Sequence, residues 1–177
     1  SAVASTPTAS HPQAPAPLAA PRTADPRATG NPAAAPALAV PGQVNASGRD
    51  LALGGLASAS SVEPPGVFVV SNAFDGDPDT RWGSAFQSDP QWIAVDLGSL
   101  WRVTQVELSW ERAYATAYHV DVSADGTAWR TVYATTTGSG GDVRITIPRT
   151  PARYVRMVGT ARAQNLYGYS LYEFEVR

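Results

Sequence analysis

Residues 119–133 read His-Val-Asp-Val-Ser-Ala-Asp-Gly-Thr-Ala-Trp-Arg-Thr-Val-Tyr, and this stretch decides the fold class. Residues 119–123 alternate polar and apolar side chains with the period of two that is typical of a β-strand. Asp125-Gly126 then predicts a tight hairpin turn, because both central residues of such a turn must tolerate positive φ. The returning strand is predicted by three apolar residues, Trp129, Val132 and Tyr133.

Further short apolar or alternating runs surround this hairpin. They are residues 51–53, 67–70, 92–97, 103–110, 143–147, 154–158 and 171–176. Together they give about eight or nine strands at regular spacing, which predicts an all-β fold, a β-sandwich or jelly roll. Four tryptophans border or occupy these strands and are predicted to fill the core, namely Trp82, Trp92, Trp110 and Trp129.

The N-terminal part of the chain differs in composition from the rest. Nine of the 15 prolines lie before residue 42, alanine fills most positions between them, and no aromatic residue precedes Phe68. Such a segment cannot bury enough apolar surface to offset the entropy lost on ordering. We therefore expect residues 1–45 to be a disordered Pro/Ala-rich linker, biased toward polyproline II, and residues 46–177 to form the folded domain.

The charge and cysteine content exclude several classes of protein. The 177 residues include 15 acidic and 13 basic residues, for a formal net charge of −2, and every basic residue is arginine. Because cysteine is absent, disulfides, thiolate metal sites and cysteine nucleophiles are excluded. The sequence has no basic cluster and no apolar run long enough to span a bilayer, so we expect neither a nucleic-acid nor a membrane partner.

Residues 72–82, Asn-Ala-Phe-Asp-Gly-Asp-Pro-Asp-Thr-Arg-Trp, place three carboxylates within five positions. Their mutual repulsion is unfavourable unless a cation or a group of N–H donors lies among them. Gly76 and Pro78 predict a tight turn whose oxygens can converge on calcium, which takes six to eight oxygen ligands. An EF-hand loop is excluded, since its glycine and glutamate positions would hold Thr80 and Phe86. A solvated turn without an ion is the alternative.

Taken together, these motifs resemble the factor V/VIII type C, or discoidin, domains. The resemblance rests on six segments, residues 73–82, 90–98, 110–118, 122–129, 153–156 and 168–176. Within that superfamily the pattern is most similar to the bacterial family 32 carbohydrate-binding modules of secreted glycoside hydrolases, and closest to those attached to chitosanases and related glucan hydrolases. The resemblance covers about residues 51–176 and implies a discoidin-like β-sandwich jelly roll with a structural calcium.

By position, the resemblance implies calcium ligands from the acidic turn and from the last strand. The carboxylates would be those of Asp75 and Glu173. The neutral oxygens would come from Asn72, Asp77, Thr80 and Tyr172, of which Thr80 would also offer its hydroxyl. Two carboxylates among neutral oxygens balance a divalent charge. The ion would join an early turn to the C-terminal strand, and its role would be stability.

The resemblance also implies a sugar site built from loops at one end of the sandwich. Aromatic rings stack on the apolar faces of sugars, while charged groups bond to the hydroxyls. Where similar modules often have Tyr or Glu, this chain has Phe86, which keeps a stacking surface and loses a polar contact. The expected carbohydrate-binding residues are Glu63, Arg81, Phe86, Glu111, Tyr114, Tyr167 and Tyr169.

The implied function is that of a non-catalytic module that holds a secreted bacterial enzyme on its polysaccharide. The expected partners are a polysaccharide or oligosaccharide and a covalently linked catalytic domain, with the module itself a monomer. If Glu63 and Glu111 both face the ligand, they favour a cationic amino sugar such as the glucosamine of chitosan. A β-glucan is the second candidate, and a lectin-like adhesion role with galactose-type glycans is the third.

Two further classes are weighed against this interpretation. Glu63 and Glu111 invite a glycosidase hypothesis, since such enzymes need a pair of carboxyl groups across the scissile bond. A small sandwich offers little depth to exclude water, however, and the resemblance is to non-catalytic modules. Animal discoidin domains bind anionic phospholipid with apolar spikes beside basic residues, but this chain has no lysine and its folded part is acidic.

Overall fold

The computed structural model of the protein describes residues 40–177, so residues 1–39 of the expected linker lie outside the described part. The described chain is all-β, as predicted, with a short 3-10 helix at Val70–Phe74. Its seven strands are β1 (Leu56–Ala59), β2 (Trp82–Gly83), β3 (Gln91–Trp110), β4 (Ala115–Ser123), β5 (Arg130–Thr135), β6 (Asp142–Arg162) and β7 (Ser170–Val176). Within residues 40–177, no helix has the length and apolar character needed to cross a membrane.

Strand β3 is too long to lie straight in a domain of this size. A straight strand of 20 residues would span about 66 Å. Both ends of β3 nevertheless lie beside the start of β7, because Trp110 pairs with Leu171 and the hydroxyl of Tyr169 donates to Asp89, just before β3 begins. β3 therefore folds back, and β6, which pairs with it along its length, folds back with it.

The two halves of each long strand belong to different layers. The first layer contains β1, the first half of β3, the second half of β6, β4 and β5, and the second contains the first half of β6, the second half of β3, β7 and β2. All these neighbours pair antiparallel. A register shift between Asp96 and Trp101, with Gly98 at φ 75°, marks the bend in β3. The β-sandwich jelly roll is thus confirmed.

The bends of β3 and β6 close one end of the sandwich, which we call the closed pole. Gln43 donates to Leu100 and accepts from Arg102, both at 2.8 Å, and Arg177 donates to Gln105 at 2.9 Å. Both ends of the described chain therefore lie at the closed pole. Ordered pairing begins at Gln43, inside the segment expected to be linker. The loops at the other end form what we call the open pole.

The core lies between the layers and is filled by apolar residues from both. Its largest fully buried side chains include Trp82, Phe74, Phe174, Ile93 and Leu108. Trp110 is also buried, so two of the four tryptophans are placed as predicted. The prediction is wrong for Trp92 and Trp129, which are half-buried. Trp92 has the opposite orientation to Ile93 in the pleat of β3 and faces out of the sandwich.

Several strand predictions are corrected by the structure. Residues 51–53 lie in a turn in which Leu51 and Ala52 are buried and Leu53 is exposed, and residues 67–69 form a loop leading into the 3-10 helix. The predicted pairs 92–97 with 103–110, and 143–147 with 154–158, are single bent strands. β1 was missed. The loop between β4 and β5 is longer than a tight turn, and only its Gly126 has positive φ.

Candidate functional site

The open pole carries a cleft of about 190 Å³ between four loops. Six of the seven expected carbohydrate-binding residues line this cleft, namely Glu63, Arg81, Phe86, Glu111, Tyr167 and Tyr169. They come from positions up to about a hundred residues apart in the sequence, and the sandwich brings the loops that carry them to one end. The cleft therefore has both aromatic rings and charged groups on its walls.

An ion pair between Glu63 and Arg81 forms one wall. Arg81 Nη1 donates to Glu63 Oε2 at 3.0 Å and to the hydroxyl of Ser170 at 2.8 Å. The guanidinium lies 3.4 Å from the ring centroid of Phe68, which covers its other side. Only 20% of the Arg81 side chain and 15% of the Glu63 side chain are exposed. Because both groups are fixed by these contacts, they keep their positions without a ligand.

Two glycines let the cleft loops approach one another closely. A Cβ at Gly83 would collide with the carboxylate of Glu63 and lie 2.9 Å from Arg81 Nη1. A Cβ at Gly168 would collide with Ser84 and with the backbone oxygen of Ala85. A side chain at Gly83 would therefore displace the Glu63–Arg81 pair, and one at Gly168 is excluded by the backbone.

Glu111 forms part of the opposite wall, and its contacts differ from those of Glu63. Its Oε2 accepts from the backbone N–H of Ala113 and its Oε1 from Arg112 Nε, both at 3.0 Å. The backbone N–H of Glu111 donates to Ser170 at 3.0 Å, which ties this loop to β7. The side chain of Arg112 is 76% exposed, so this ion pair is the more easily opened of the two.

Two aromatic rings form the solvent edge of the cleft. Phe86 is 42% exposed and Tyr167 is 45% exposed. Their ring centroids lie 6.3 Å apart, with planes inclined at 70°. An exposed pair of rings beside charged groups is the combination that binds the apolar face of a sugar and its hydroxyls.

Of the expected binding residues, Tyr114 does not line the cleft, and Tyr169 lines it with its ring turned inward. Tyr169 is only 1% exposed, and its ring lies against Gly159 while its hydroxyl donates to Asp89. Burial, and then the hydrogen bond to Asp89, raise the pKa of Tyr169. Tyr114 packs against the core and against Gly140. Both tyrosines are thus structural, because their loops turn these rings inward.

The sequence did not reveal three residues that line the cleft or support its walls. Ser170 links Arg81 to the backbone oxygen of Trp82, to which its hydroxyl donates at 2.8 Å. Arg112 lines the cleft beside Glu111, and Phe68 covers Arg81. Phe68 lies in an apolar run that was interpreted as a strand. Arg112 directly follows Glu111, and this adjacent pair of opposite charges could have indicated that Arg112 lies at the cleft.

The acidic turn brings together the oxygen atoms expected to bind calcium. The hydroxyl of Thr80 lies 2.8 and 3.1 Å from the carboxylate oxygens of Asp75. It also lies 3.3 Å from the backbone oxygen of Asn72 and 3.1 Å from that of Asp77. Four of the six expected ligands therefore surround one small volume. The side chain of Asp77 instead accepts from the backbone N–H of Asp79.

Glu173 on β7 is the second carboxylate of the expected calcium-binding set. Its Oε1 atom is buried and has no hydrogen-bond partner among the described residues. Burial first, and then the negative charge of Asp75, raise the pKa of Glu173 to about 7. Among residues 40–177, no cluster of three or more acidic or histidine side chains is positioned for a metal. The set of two carboxylates with neutral oxygens fits a hard cation such as calcium, with the Tyr172 carbonyl as its remaining expected member.

The fold and the cleft define a class of protein, the β-sandwich modules that hold a ligand in loops at one end. The family model for the F5/8 type C domain matches residues 57–174. Since this match covers well over half of the chain, the protein belongs to the F5/8 type C domain family.

Solved structures similar to the chain include two chitosan-binding modules of a chitosanase/glucanase from Paenibacillus sp. IK-5. Module 1 is 53% identical with a TM-score of 0.70, and the match covers 73% of this chain and 98% of that one. Module 2, solved with chitotriose, is 47% identical with a TM-score of 0.69, covering 72% and 98%. A polysaccharide lyase 8 family protein, HylA of Enterococcus faecalis, is 38% identical over 74 residues, or 42% of this chain and 5% of that protein.

Proposed function

We propose that the protein is a non-catalytic carbohydrate-binding module whose ligand is a glucosamine-containing polysaccharide such as chitosan. The observation that carries the proposal is the convergence of Glu63, Arg81, Glu111, Phe86 and Tyr167 on one cleft. The chitosan-binding modules from Paenibacillus, at 47–54% identity, support the same ligand class.

In this proposal, Tyr167 and Phe86 stack on the sugar and Glu111 binds its ammonium group. Glu111 is suited to this because its pair with the exposed Arg112 can open, which frees a carboxylate held in place by the N–H of Ala113. Glu63 stays paired with Arg81, whose remaining N–H groups can donate to sugar hydroxyls. A single site of this size supports weak binding, about −4 to −7 kcal/mol.

The arrangement does not support glycosidase chemistry. Hydrolysis needs one protonated carboxyl group and one free carboxylate across the scissile bond. Glu63 and Glu111 are instead both engaged by arginines, and neither faces a deep, water-excluding cavity. The similar Paenibacillus structures are binding modules, which agrees with a non-enzymatic role.

The acidic turn supports a structural calcium as part of the proposal. Asp75 and Glu173 would supply the carboxylates, and Asn72, Asp77, Thr80 and Tyr172 the neutral oxygens. When bound, the ion supplies positive charge that offsets the repulsion between Asp75 and Glu173. Because these residues come from the turn before β2 and from β7, the site would fasten the turn to the last strand.

We further propose that the module works as a monomer within a larger secreted bacterial enzyme. The E. faecalis relative supports a modular setting, because the chain spans only 5% of that protein's length. The catalytic domain would then receive substrate that the cleft holds nearby, without any direct role of the cleft in the reaction.

Calorimetric titration of the purified protein with chitosan oligomers, β-1,3-glucan oligomers and galactose tests the proposal. We expect binding of the chitosan oligomers, and about tenfold weaker binding for Glu111→Gln and for Tyr167→Ala. Tyr114→Phe is the matched control, because Tyr114 is an aromatic loop residue outside the cleft. Binding that Glu111→Gln and Tyr167→Ala leave unchanged would show that the cleft is not the site. A preference for galactose would favour the adhesion hypothesis.

A further inference from the structure

The outer face of the first layer carries a second groove, which we call the sheet groove. Its volume is about 540 Å³, larger than the cleft at the open pole. Three aromatic side chains, Trp92 of β3, Trp129 before β5 and Tyr154 of β6, share its walls. None of them belongs to the cleft.

Aromatic side chains on this face need an explanation. The solvent face of an antiparallel sheet normally alternates polar residues with the buried ones. Along β3 the core residue Ile93 follows Trp92, and along β6 the core residue Val155 follows Tyr154. Both rings therefore lie on the outward side of the pleat, where they are half-buried and have no second layer above them among the described residues.

Arginine side chains pack on two of the three rings, those of Trp129 and Tyr154. The guanidinium of Arg156 lies 4.1 Å from the ring of Trp129, and its Nε donates to the buried Asp121 at 2.9 Å. Within residues 40–177 this is the only hydrogen bond that Arg156 donates from its side chain. Its terminal nitrogens are therefore left to donate to an oxygen-rich ligand in the groove, which Arg156 also lines.

Hydrogen bonds also hold the other polar side chains of the sheet groove in place. Asp96 accepts two hydrogen bonds from Arg153, each of 2.8 Å, and this contact holds the pKa of Asp96 below its usual range. The guanidinium of Arg153 lies 5.2 Å from the ring centroid of Tyr154, and the same ring contacts the turn at Gly126. Asp125, on the rim, accepts from the backbone N–H groups that follow it.

We propose that the sheet groove is a second carbohydrate-binding surface, which takes another stretch of the glucosamine-containing polysaccharide. The choice of ligand rests on the proposed function. Asp96 and Arg156 are paired with Arg153 and Asp121, so Asp125, which has no arginine partner among residues 40–177, leaves the groove with a net negative charge that complements the ammonium groups of such a polymer. The groove follows β3 from Trp92 to Asp96, about 13 Å along the strand, so it suits an elongated ligand.

Two sites on one module increase its retention on a polymer far more than its affinity for a short oligomer. Once the cleft is engaged, the groove meets neighbouring sugar units at a high effective concentration. We therefore expect Trp129→Ala to reduce retention on insoluble chitosan by about tenfold or more, with little change in the binding of glucosamine dimers at the cleft.

The test follows the ¹⁵N–¹H signals of the wild-type protein during titration with chitosan hexamer, which avoids any risk of misfolding. We expect the indole signals of Trp92 and Trp129 to move with increasing sugar. They should also move in the Glu111→Gln/Tyr167→Ala variant. The indole signal of Trp101 is the internal control, because Trp101 lines neither the cleft nor the sheet groove.

Each outcome separates the two proposals. If the amide signals of the cleft shift and the indole signals of the groove do not, the proposed role of the sheet groove is overturned and the proposed function stands. If the groove indoles move and the cleft amides do not, the cleft is overturned. If neither set moves, both proposals fail. Groove signals that depend on protein concentration without sugar would identify a contact between copies of the chain instead, which also overturns the proposal.

Discussion

Replacement of Arg81 by methionine removes the charge that partners Glu63 and keeps a chain of similar length over Phe68. Removal of one partner from a fully buried ion pair costs about 3–5 kcal/mol, whereas exposed pairs are worth about 0–1 kcal/mol. Since these side chains are 20% and 15% exposed, we expect Arg81→Met to lower the free energy of unfolding by about 2 kcal/mol. For a domain of this size, that lowers Tm by roughly 6–8 °C.

A double-mutant cycle with Glu63→Gln isolates the part of this loss that comes from the pair. The neutral amide of the Glu63→Gln variant would need no counter-charge, so Arg81→Met should cost less in that background, with a coupling free energy of about 1–2 kcal/mol. Urea unfolding of the four proteins measures it. If the two changes add to within about 0.5 kcal/mol, the ion pair contributes nothing measurable, and our account of a wall held rigid by Glu63 and Arg81 is refuted.

Three further outcomes are expected. Removal of calcium with EDTA should lower Tm, and calcium added at about a hundred times its Kd should raise the free energy of unfolding by about 2.7 kcal/mol. The Glu173→Gln protein should respond less to calcium. An equal response would contradict the assignment of Glu173 as a calcium ligand. Tyr169→Phe should cost about 1–2 kcal/mol in urea unfolding, because Asp89 loses a donor, while oligosaccharide binding by calorimetry stays unchanged. Burial works to raise the pKa of Asp121, but its hydrogen bonds, including that from Arg156, outweigh burial and hold this pKa below its usual range. The stabilisation by Asp121 should therefore be present above about pH 4 and be lost as the pH falls further, and Asp121→Asn should flatten the fall in unfolding free energy in an acid titration followed by circular dichroism.

The sequence predicted the fold class because alternation is a local property of each strand. It could not predict the bends in β3 and β6, because a bent strand and two separate strands have the same pattern. The predicted strand at residues 92–97 ended before Gly98, whereas the structure uses the positive φ of Gly98 inside the bend of β3. The apolar run at residues 67–70 resembles a strand in composition, and only its contact with the distant Arg81 explains the position of Phe68.

The candidate site was likewise predicted only in part from the sequence. Glu63, Arg81, Glu111 and Tyr167 were found by resemblance to a family, and the structure brings them together at one cleft. The inward position of the Tyr169 ring was not predicted, because a loop has no fixed period that would show which of two nearby tyrosines turns inward. The outward positions of Trp92 and Trp129 were missed because tryptophan beside a strand is usually buried.

The positions of Gln43 and Arg177 beside the bend in β3 have a practical consequence. A reporter protein, an affinity tag or a surface-coupling group joined through either end would project away from the open pole. The module could thus be immobilised on a biosensor chip in a uniform orientation with its cleft facing solution. In the same way, a fluorescent protein fused before Val40 or after Arg177 should not obstruct the binding of glycan at the cleft.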